Sequence, residues 1–259
     1  MKFVASEVVA ALKQNLDRVL ERTPQLEQIV DELRPYIYIV GGFVRDSYLR
    51  KRSRDIDMMV DVDDKRLRQV IDDTGCLYAI NRHGGMKLYV GEMVVDIWTF
   101  DSNWAFKSNS VQLREDSKLN SIAQGCFYNY DSLVVRLKDY RYNLRNYEDF
   151  LAKRELDILD GANYQARNPV FEANILRAFY IRDFYGATFS ERVKNYIFEE
   201  VVNVDLKNKD VWSCLSRTQE LYPKYKKLDI AQIKTEIQII MRAVLNKQPY
   251  LFDLSHLTN

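Results

Sequence analysis

"YIVGGFVRDSYLRKRSRDIDMMV", residues 38–60, sets a β-rich run, a glycine pair, a cluster of arginines and two spaced aspartates in one short span. The preceding Tyr36 and Ile37 extend the run to residues 36–40, whose β-branched and aromatic side chains predict a strand ending at Gly41-Gly42. A helix fits Phe43 to Leu49, and "DIDMMV" (55–60) predicts the next strand. A glycine turn between strand and helix lets backbone N–H groups approach an anion, and the helix N-terminus adds about half a positive charge. Taken alone, a glycine pair in this place is more often only a tight turn. Arg45, Arg54 and the run Arg50-Lys51-Arg52 carry charge that can neutralise a triphosphate, although such a run equally makes a solvated helix end. Asp46 is expected to pair with one of these arginines and fix the loop.

Asp55 and Asp57 are two residues apart on a predicted strand, so they face the same way, with Cα atoms about 6.5–7 Å apart. Two carboxylates on one face repel unless water or cations neutralise them. A magnesium ion takes one or two carboxylates and completes its shell with substrate phosphates and water. A lone Asp-x-Asp is more often a solvated strand end, so the metal reading needs company. Asp96 in "VVDIWTF" (94–100) provides it, because a sheet placing this strand beside the Asp55 strand would gather three acids. Carboxylates buried without a partner cost several kcal/mol and tend to protonate, which a metal prevents.

Around this centre the pattern divides the chain. Val4, Val8, Ala11, Leu12, Leu16 and Leu20 recur at helical spacing, and Pro24 opens a second helix. Residues 64–73 read as a polar helix. "MKLYVGEMVVDIWTF" (86–100) reads as a hairpin turning at Gly91-Glu92, with further strands near 125–129 and 133–137. After about residue 167 only helical patterns are evident, over 170–184, 190–201, 210–221 and 229–246. The expected class is α+β: N-terminal helices (1–35) packed on a mixed-sheet head domain (36–165), then an all-helical neck and body (166–259), with the boundary near 160–168.

Composition narrows the chemistry. With 259 residues, 47% hydrophobic and 29% charged, the chain can bury one large or two small cores. Its net charge of +1 means that nucleic-acid contact must come from local basic patches. Three scattered cysteines (Cys76, Cys126, Cys214) and two histidines (His83, His256) argue against a disulfide framework, a zinc site or a histidine-rich centre, leaving a hard ion on oxygen. No stretch approaches the roughly 20 apolar residues of a membrane span. The N-terminal "MKFVASEVVAALKQ" reads as a helix and not a signal peptide, so a cytoplasmic location is the default.

Together "GGFVRD" and "RDID" resemble the head domain of class II tRNA nucleotidyltransferases and bacterial poly(A) polymerases, in the DNA polymerase β-like nucleotidyltransferase superfamily. The spacing from Gly41 to Asp57 is the same, with Arg50 where that family often has glycine. "RHGGMKLYVGEMVVDIWTF" (82–100) is similar to the family segment leading to a third acid, at Asp96. "REDSKLNSIA" (114–123) is similar to another, matching at Arg114, Asp116 and Asn120, and "ILRAFY" (175–180) resembles the start of the neck helix, matching at Arg177. Asn174 stands where the family has a base-templating arginine.

The resemblance implies an α+β head and transfer of a nucleoside monophosphate from an NTP (ATP or CTP) to an RNA 3′ end, tRNA-like, releasing pyrophosphate. It implies that Asp55, Asp57 and Asp96 hold Mg2+ or Mn2+. Gly41, Gly42, Arg45 and Arg54 would hold phosphates, and Arg114, Asp116, Asn120 and Arg177 would line the nucleotide pocket. "RLKDYRYNLR" (136–145) and "YPKYKK" (222–227) interleave basic and aromatic residues in a way that suits RNA, or an ordinary solvated surface. Two alternatives stay open: transfer to a small-molecule, nucleotide or protein hydroxyl, and a non-catalytic nucleotide-binding or regulatory module.

Overall fold

The computed structural model describes residues 3–81, 84–159, 171–207 and 209–247. The expected boundary at 160–168 lies outside the described residues, as do both histidines. By contacts the chain divides into two units, the first comprising residues 1–152 with Leu159, the second residues 153–158 and the helices from 171 onward.

The first unit opens with α1 (Ala5–Leu20), whose Val8, Leu12, Leu16 and Leu20 recur every fourth residue as one buried stripe. Pro24 starts α2 (Pro24–Leu33) at a position where its missing N–H costs nothing. Then follow β1 (Ile37–Val40), α3 (Gly42–Tyr48), β2 (Asp55–Val60), α4 (Asp64–Asp73), β3 (Leu77–Ile80), β4 (Met86–Val90) and β5 (Met93–Thr99). Asp63 caps α4 by accepting from the Arg66 backbone N–H at 2.7 Å. The unit ends with α5 (Trp104–Lys107), α6 (Lys118–Gln124), β6 (Val134–Arg136), β7 (Tyr142–Asn143) and α7 (Arg145–Lys153).

Seven strands form one mixed sheet in the order β3-β4-β5-β2-β1-β6-β7. β2 and β5 are parallel and the other neighbours antiparallel. Alternation assigns Ile37, Ile39, Ile56, Met58, Val60, Val95 and Ile97 to one fully buried face. The opposite face carries the polar residues of the same strands. There Tyr38 and Met59 pack with Phe100, Ile122 and Val134, so α6 covers part of this face.

The second unit holds β8 (Glu155–Leu156), α8 (Phe171–Tyr185), β9 (Thr188–Phe189), α9 (Glu191–Asp205), α10 (Val211–Leu221) and α11 (Ile230–Lys247). No helix among the described residues is long and apolar enough to cross a membrane.

Two expectations need correction. No strand forms over 125–129: α6 ends at Gln124 with Gly125 as its C-cap, only an isolated bridge forms at Tyr128, and the Phe127 carbonyl accepts from the Leu159 N–H at 2.9 Å. The rear portion is not wholly helical either, because β9 pairs in parallel with β8. Gly186, at φ +64°, turns the chain out of α8 and lays Thr188 against the Arg154 carbonyl, a partner over thirty residues away that local pattern cannot reveal.

Candidate active site

Asp55 and Asp57 project from one face of β2, as their spacing requires. On the neighbouring parallel strand Asp96 is the direct register partner of Asp57, so its side chain emerges on the same face. All three acids are half-buried. Asp57 is flanked on its other side by Val40, the last residue of β1, and the glycine turn therefore begins beside it.

Gly41 adopts φ +72° and ψ −124°, which a side-chain-bearing residue rarely tolerates. A Cβ built there would lie 3.9 Å from Asp57 Oδ2 and 3.5 Å from the Asp131 carbonyl oxygen. The turn thus runs at contact distance from an acid, and its own N–H donates to the Leu133 carbonyl at 2.8 Å. Gly42 starts α3 and packs toward Arg45 Nη2, 3.5 Å from where its Cβ would be.

Arg45 is only 8% exposed. Its Nε donates to Asp46 Oδ1 at 3.1 Å, its Nη1 donates to Asp131 Oδ1 at 3.3 Å, and its guanidinium lies 4.3 Å from the Tyr130 ring centre. These contacts brace the glycine turn against the 129–133 segment. Arg54 is exposed and grips Asp55, with Nε and Nη2 at 3.0 and 2.5 Å from Oδ2. Asp96 has a partner of its own in Lys87, whose Nζ lies 3.2 Å from Oδ1 and 3.3 Å from Oδ2.

Lys87 escaped the sequence reading although the signal was present. A hairpin turning on Gly91-Glu92 pairs Val90 with Met93, and counting outward pairs Lys87 with Asp96. Two positions further along, Gly85 lies under the Trp98 indole, and a Cβ on it would fall 1.8 Å from Trp98 Nε1. Trp98 shares the acid face, two residues beyond Asp96.

The 114–120 segment enters α6, the helix that covers the Tyr38–Met59 part of this face. Arg114 and Asp116 are exposed there, with the Arg114 N–H donating to Ser121 Oγ at 3.0 Å. Asn120 accepts from Asn143 Nδ2 at 3.3 Å. Lys118 reaches Asp61 at 2.6 Å and Glu115 at 2.7 Å. Partial burial works against its charge, but these carboxylates prevail and raise its pKa.

In the second unit, Arg177 lies half-buried on α8, one turn beyond Asn174. Asn174 is 8% exposed, and its Nδ2 donates to the Tyr196 hydroxyl at 3.3 Å. Its amide is engaged within the helical core. The basic-aromatic segments are similarly committed: Arg136 is held by Asp139, and Tyr225 is buried with its hydroxyl donating to the Ala173 carbonyl.

Among the described residues no group of three His, Cys, Asp or Glu side chains is placed to hold a metal ion, so the expected gathering of Asp55, Asp57 and Asp96 into one three-carboxylate site is not found. The donor set nonetheless fits a hard divalent ion. Such an ion needs one or two carboxylates plus phosphate and water, and Asp57 with Asp96, adjacent in register, supply that number.

Residues 37–158 match the family model described as the poly A polymerase head domain. No curated protein sequence matches the chain. Among solved structures, its fold is similar to a CCA-adding enzyme in complex with ATP, at 17% identity and TM-score 0.62, over 97% of this chain and 57% of that one. It is similar to the Thermotoga maritima CCA-adding enzyme complexed with tRNA, at 17% identity and TM-score 0.63, over 97% and 58%. A tRNA nucleotidyltransferase complexed with a primer tRNA and an incoming ATP analogue matches at 19% identity and TM-score 0.56, over 82% and 60%. The chain therefore spans less than two thirds of the length of these enzymes. Its mixed sheet, glycine turn and paired-acid strands all lie within residues 37–158, the stretch that matches the poly A polymerase head domain.

Proposed function

We propose that this chain is a metal-dependent nucleotidyltransferase that adds a nucleoside monophosphate from an NTP to an RNA 3′ end. The observation that carries this reading is the in-register Asp57–Asp96 pair, with Asp55 on the same face and the Gly41 turn at contact distance. The solved relatives supporting it are described in complex with ATP, with CTP and with tRNA.

In this reaction the 3′ hydroxyl oxygen bonds to the α-phosphorus, the bond to the β,γ-bridged pyrophosphate breaks, and the hydroxyl proton is lost. Asp57 and Asp96 would hold the divalent ion, Mg2+ or Mn2+, which when bound neutralises phosphate charge and acidifies the attacking hydroxyl. The chain's own part is mostly placement and charge, which phosphoryl-type transfer chiefly demands. Asp96 accepts the proton of the acceptor hydroxyl at its carboxylate. The Gly41-Gly42 turn, braced from behind by Arg45, presents backbone to the phosphates, and Arg54 offers a solvent-facing guanidinium beside Asp55. Arg114, Asp116 and Asn120 are assigned to the nucleotide.

Asn174 favours a second reading of the acceptor. With its amide turned to Tyr196, this position does not template a base, so transfer to a small-molecule or protein hydroxyl deserves its own arm in the test. The protein is incubated with Mg2+ or Mn2+, each α-labelled NTP in turn, and total RNA, and the label is then traced. We expect label in RNA, and at least about a 100-fold loss of turnover in Asp57→Asn and Asp96→Asn at unchanged melting temperature. Label confined to protein or soluble products replaces the RNA reading by the second. Absence of any label with all four nucleotides leaves a non-catalytic module.

A further inference from the structure

Beside the acids, the first unit carries a groove of about 1800 Å3 between α1, the loop joining α3 to β2, and the β4–β5 turn. This is larger than the few hundred to roughly 1000 Å3 of a small-molecule site. Six basic side chains line it, Arg18, Arg22, Arg50, Lys51, Arg52 and Arg54, against two acidic ones, Glu7 and Glu92. All six are exposed. In a chain with a net charge of only +1, that is a strong local excess. Arg52 pairs with Glu92 and Arg54 with Asp55. Among the described residues, no carboxylate forms an ion pair with Arg18, Arg22 or Arg50.

The loop presenting these cations is fixed. α3 ends in a closed motif in which the Lys51 N–H donates to the Asp46 carbonyl at 2.9 Å and the Arg50 N–H to the Ser47 carbonyl at 3.2 Å. That motif needs a left-handed residue just past the helix, and Arg50 occupies it at φ +54°. Glycine is the usual occupant because it alone has no Cβ to clash. A strained arginine in a glycine position is what a site that needs the cation would keep. The floor is equally fixed, since Asn15 Nδ2 on α1 donates to Ser47 Oγ on α3 at 2.9 Å.

We infer that this groove binds the phosphodiester backbone of the RNA acceptor and leads it, past Arg54, to the acids. The inference rests on the RNA reading proposed above. Size favours a strand over a free nucleotide. So does the spread of cations, which runs from the C-terminal end of α1 to the residue touching Asp55.

Fluorescence anisotropy of a 5′-labelled single-stranded RNA, titrated with the full chain at several salt concentrations, tests it. The variants are Arg50→Gly and the double reversal Arg18→Glu/Arg22→Glu. Arg50→Gly relieves the backbone and should melt no lower than the wild type, so weaker binding by it cannot come from misfolding. We expect affinity to fall several-fold in Arg50→Gly and more than tenfold in the double variant. The slope of log affinity against log salt should shrink by about 0.7 for each contact removed. Unaltered affinity and slope in Arg50→Gly and the double variant overturn the inference. So does tripolyphosphate that displaces RNA at equal charge concentration and loses affinity to the same variants, since the groove would then belong to the nucleotide. Asp57→Asn keeps the two readings apart: if the chemistry is assigned correctly, it stops turnover while RNA binding persists, and if only the groove is wrong, turnover on RNA survives with variant-independent binding.

Discussion

Lys87 places a fixed ammonium where a divalent cation would otherwise be the obvious counter-charge to Asp96. Asp57 and Asp96 are direct neighbours, and without a positive partner their mutual repulsion would oppose the sheet register that brings them together. The ion pair is partly exposed and worth up to about 1 kcal/mol, which corresponds to roughly fivefold in an equilibrium. On the proposed chemistry, Lys87→Met therefore binds Mn2+ about fivefold more tightly, because the ammonium no longer competes. Titration of free Mn2+ by electron paramagnetic resonance reads this directly, and equal or weaker binding by the variant would refute the competition. Arg45 teaches a different lesson. Its chemistry suits a phosphate, but its geometry commits it to Asp46 and Asp131, and only the first of these partners is adjacent in sequence. Asp131 lies 86 residues away, and no spacing rule reaches that far. The acids were legible because strand alternation is strict, whereas the brace behind the glycine turn depends on how β6 returns to β1.

Nearness of the partner did not alone decide which strands were readable: β6, expected near 133–137, forms against distant β1, whereas β3, a few residues from β4, was not expected. The β4–β5 hairpin, the β1–α3–β2 succession and the helix at 64–73 follow from glycine turns, caps and periodicity. β8 and β9 are two residues each and exist only because they find one another. In the β3–β4 connection, Gly85 is held by more than turn geometry. Its N–H donates to Asn81 Oδ1 at 3.1 Å, its carbonyl accepts from the Asn81 N–H at 2.8 Å, and Trp98 covers it. Gly85→Ala would drive a methyl group into the indole. The ring must swing away along the acid face, at the roughly 1–3 kcal/mol typical of overpacking. Urea unfolding followed by circular dichroism should show a loss in that range, and a loss below about 0.5 kcal/mol would mean that the indole yields freely.

Across the whole molecule the two units differ in how they handle charge. The first exposes the cations of its groove, whereas in the helical unit partial desolvation acts on two neighbouring acids of α9. Burial raises the Glu200 carboxyl from 4.5 to about 7, opposed by Lys207 and reinforced by Glu199 and Glu172, and burial raises Glu199 as well. The unfolded chain releases the Glu200 proton near its ordinary value, while the folded chain keeps it until about pH 7. Its stabilising contribution is therefore complete below about pH 4.5 and is lost as the pH rises through 7. Scanning calorimetry should show the helical transition at a lower temperature at pH 8 than at pH 5.5. Glu200→Gln should remove most of that difference, and a variant with the wild-type dependence would exonerate Glu200.

The path of the backbone between units has a practical corollary. Residues 153–158 join the second unit through β8, yet the very next residue, Leu159, bonds to Phe127 in the first. No single scissile bond separates the two cores. Truncation after residue 152 strips the head of its Leu159 bridge, and truncation after 159 robs the helical portion of the strand that β9 needs. Expressed halves would each inherit a mismatched edge, so dissecting their roles calls for point substitutions in the intact polypeptide.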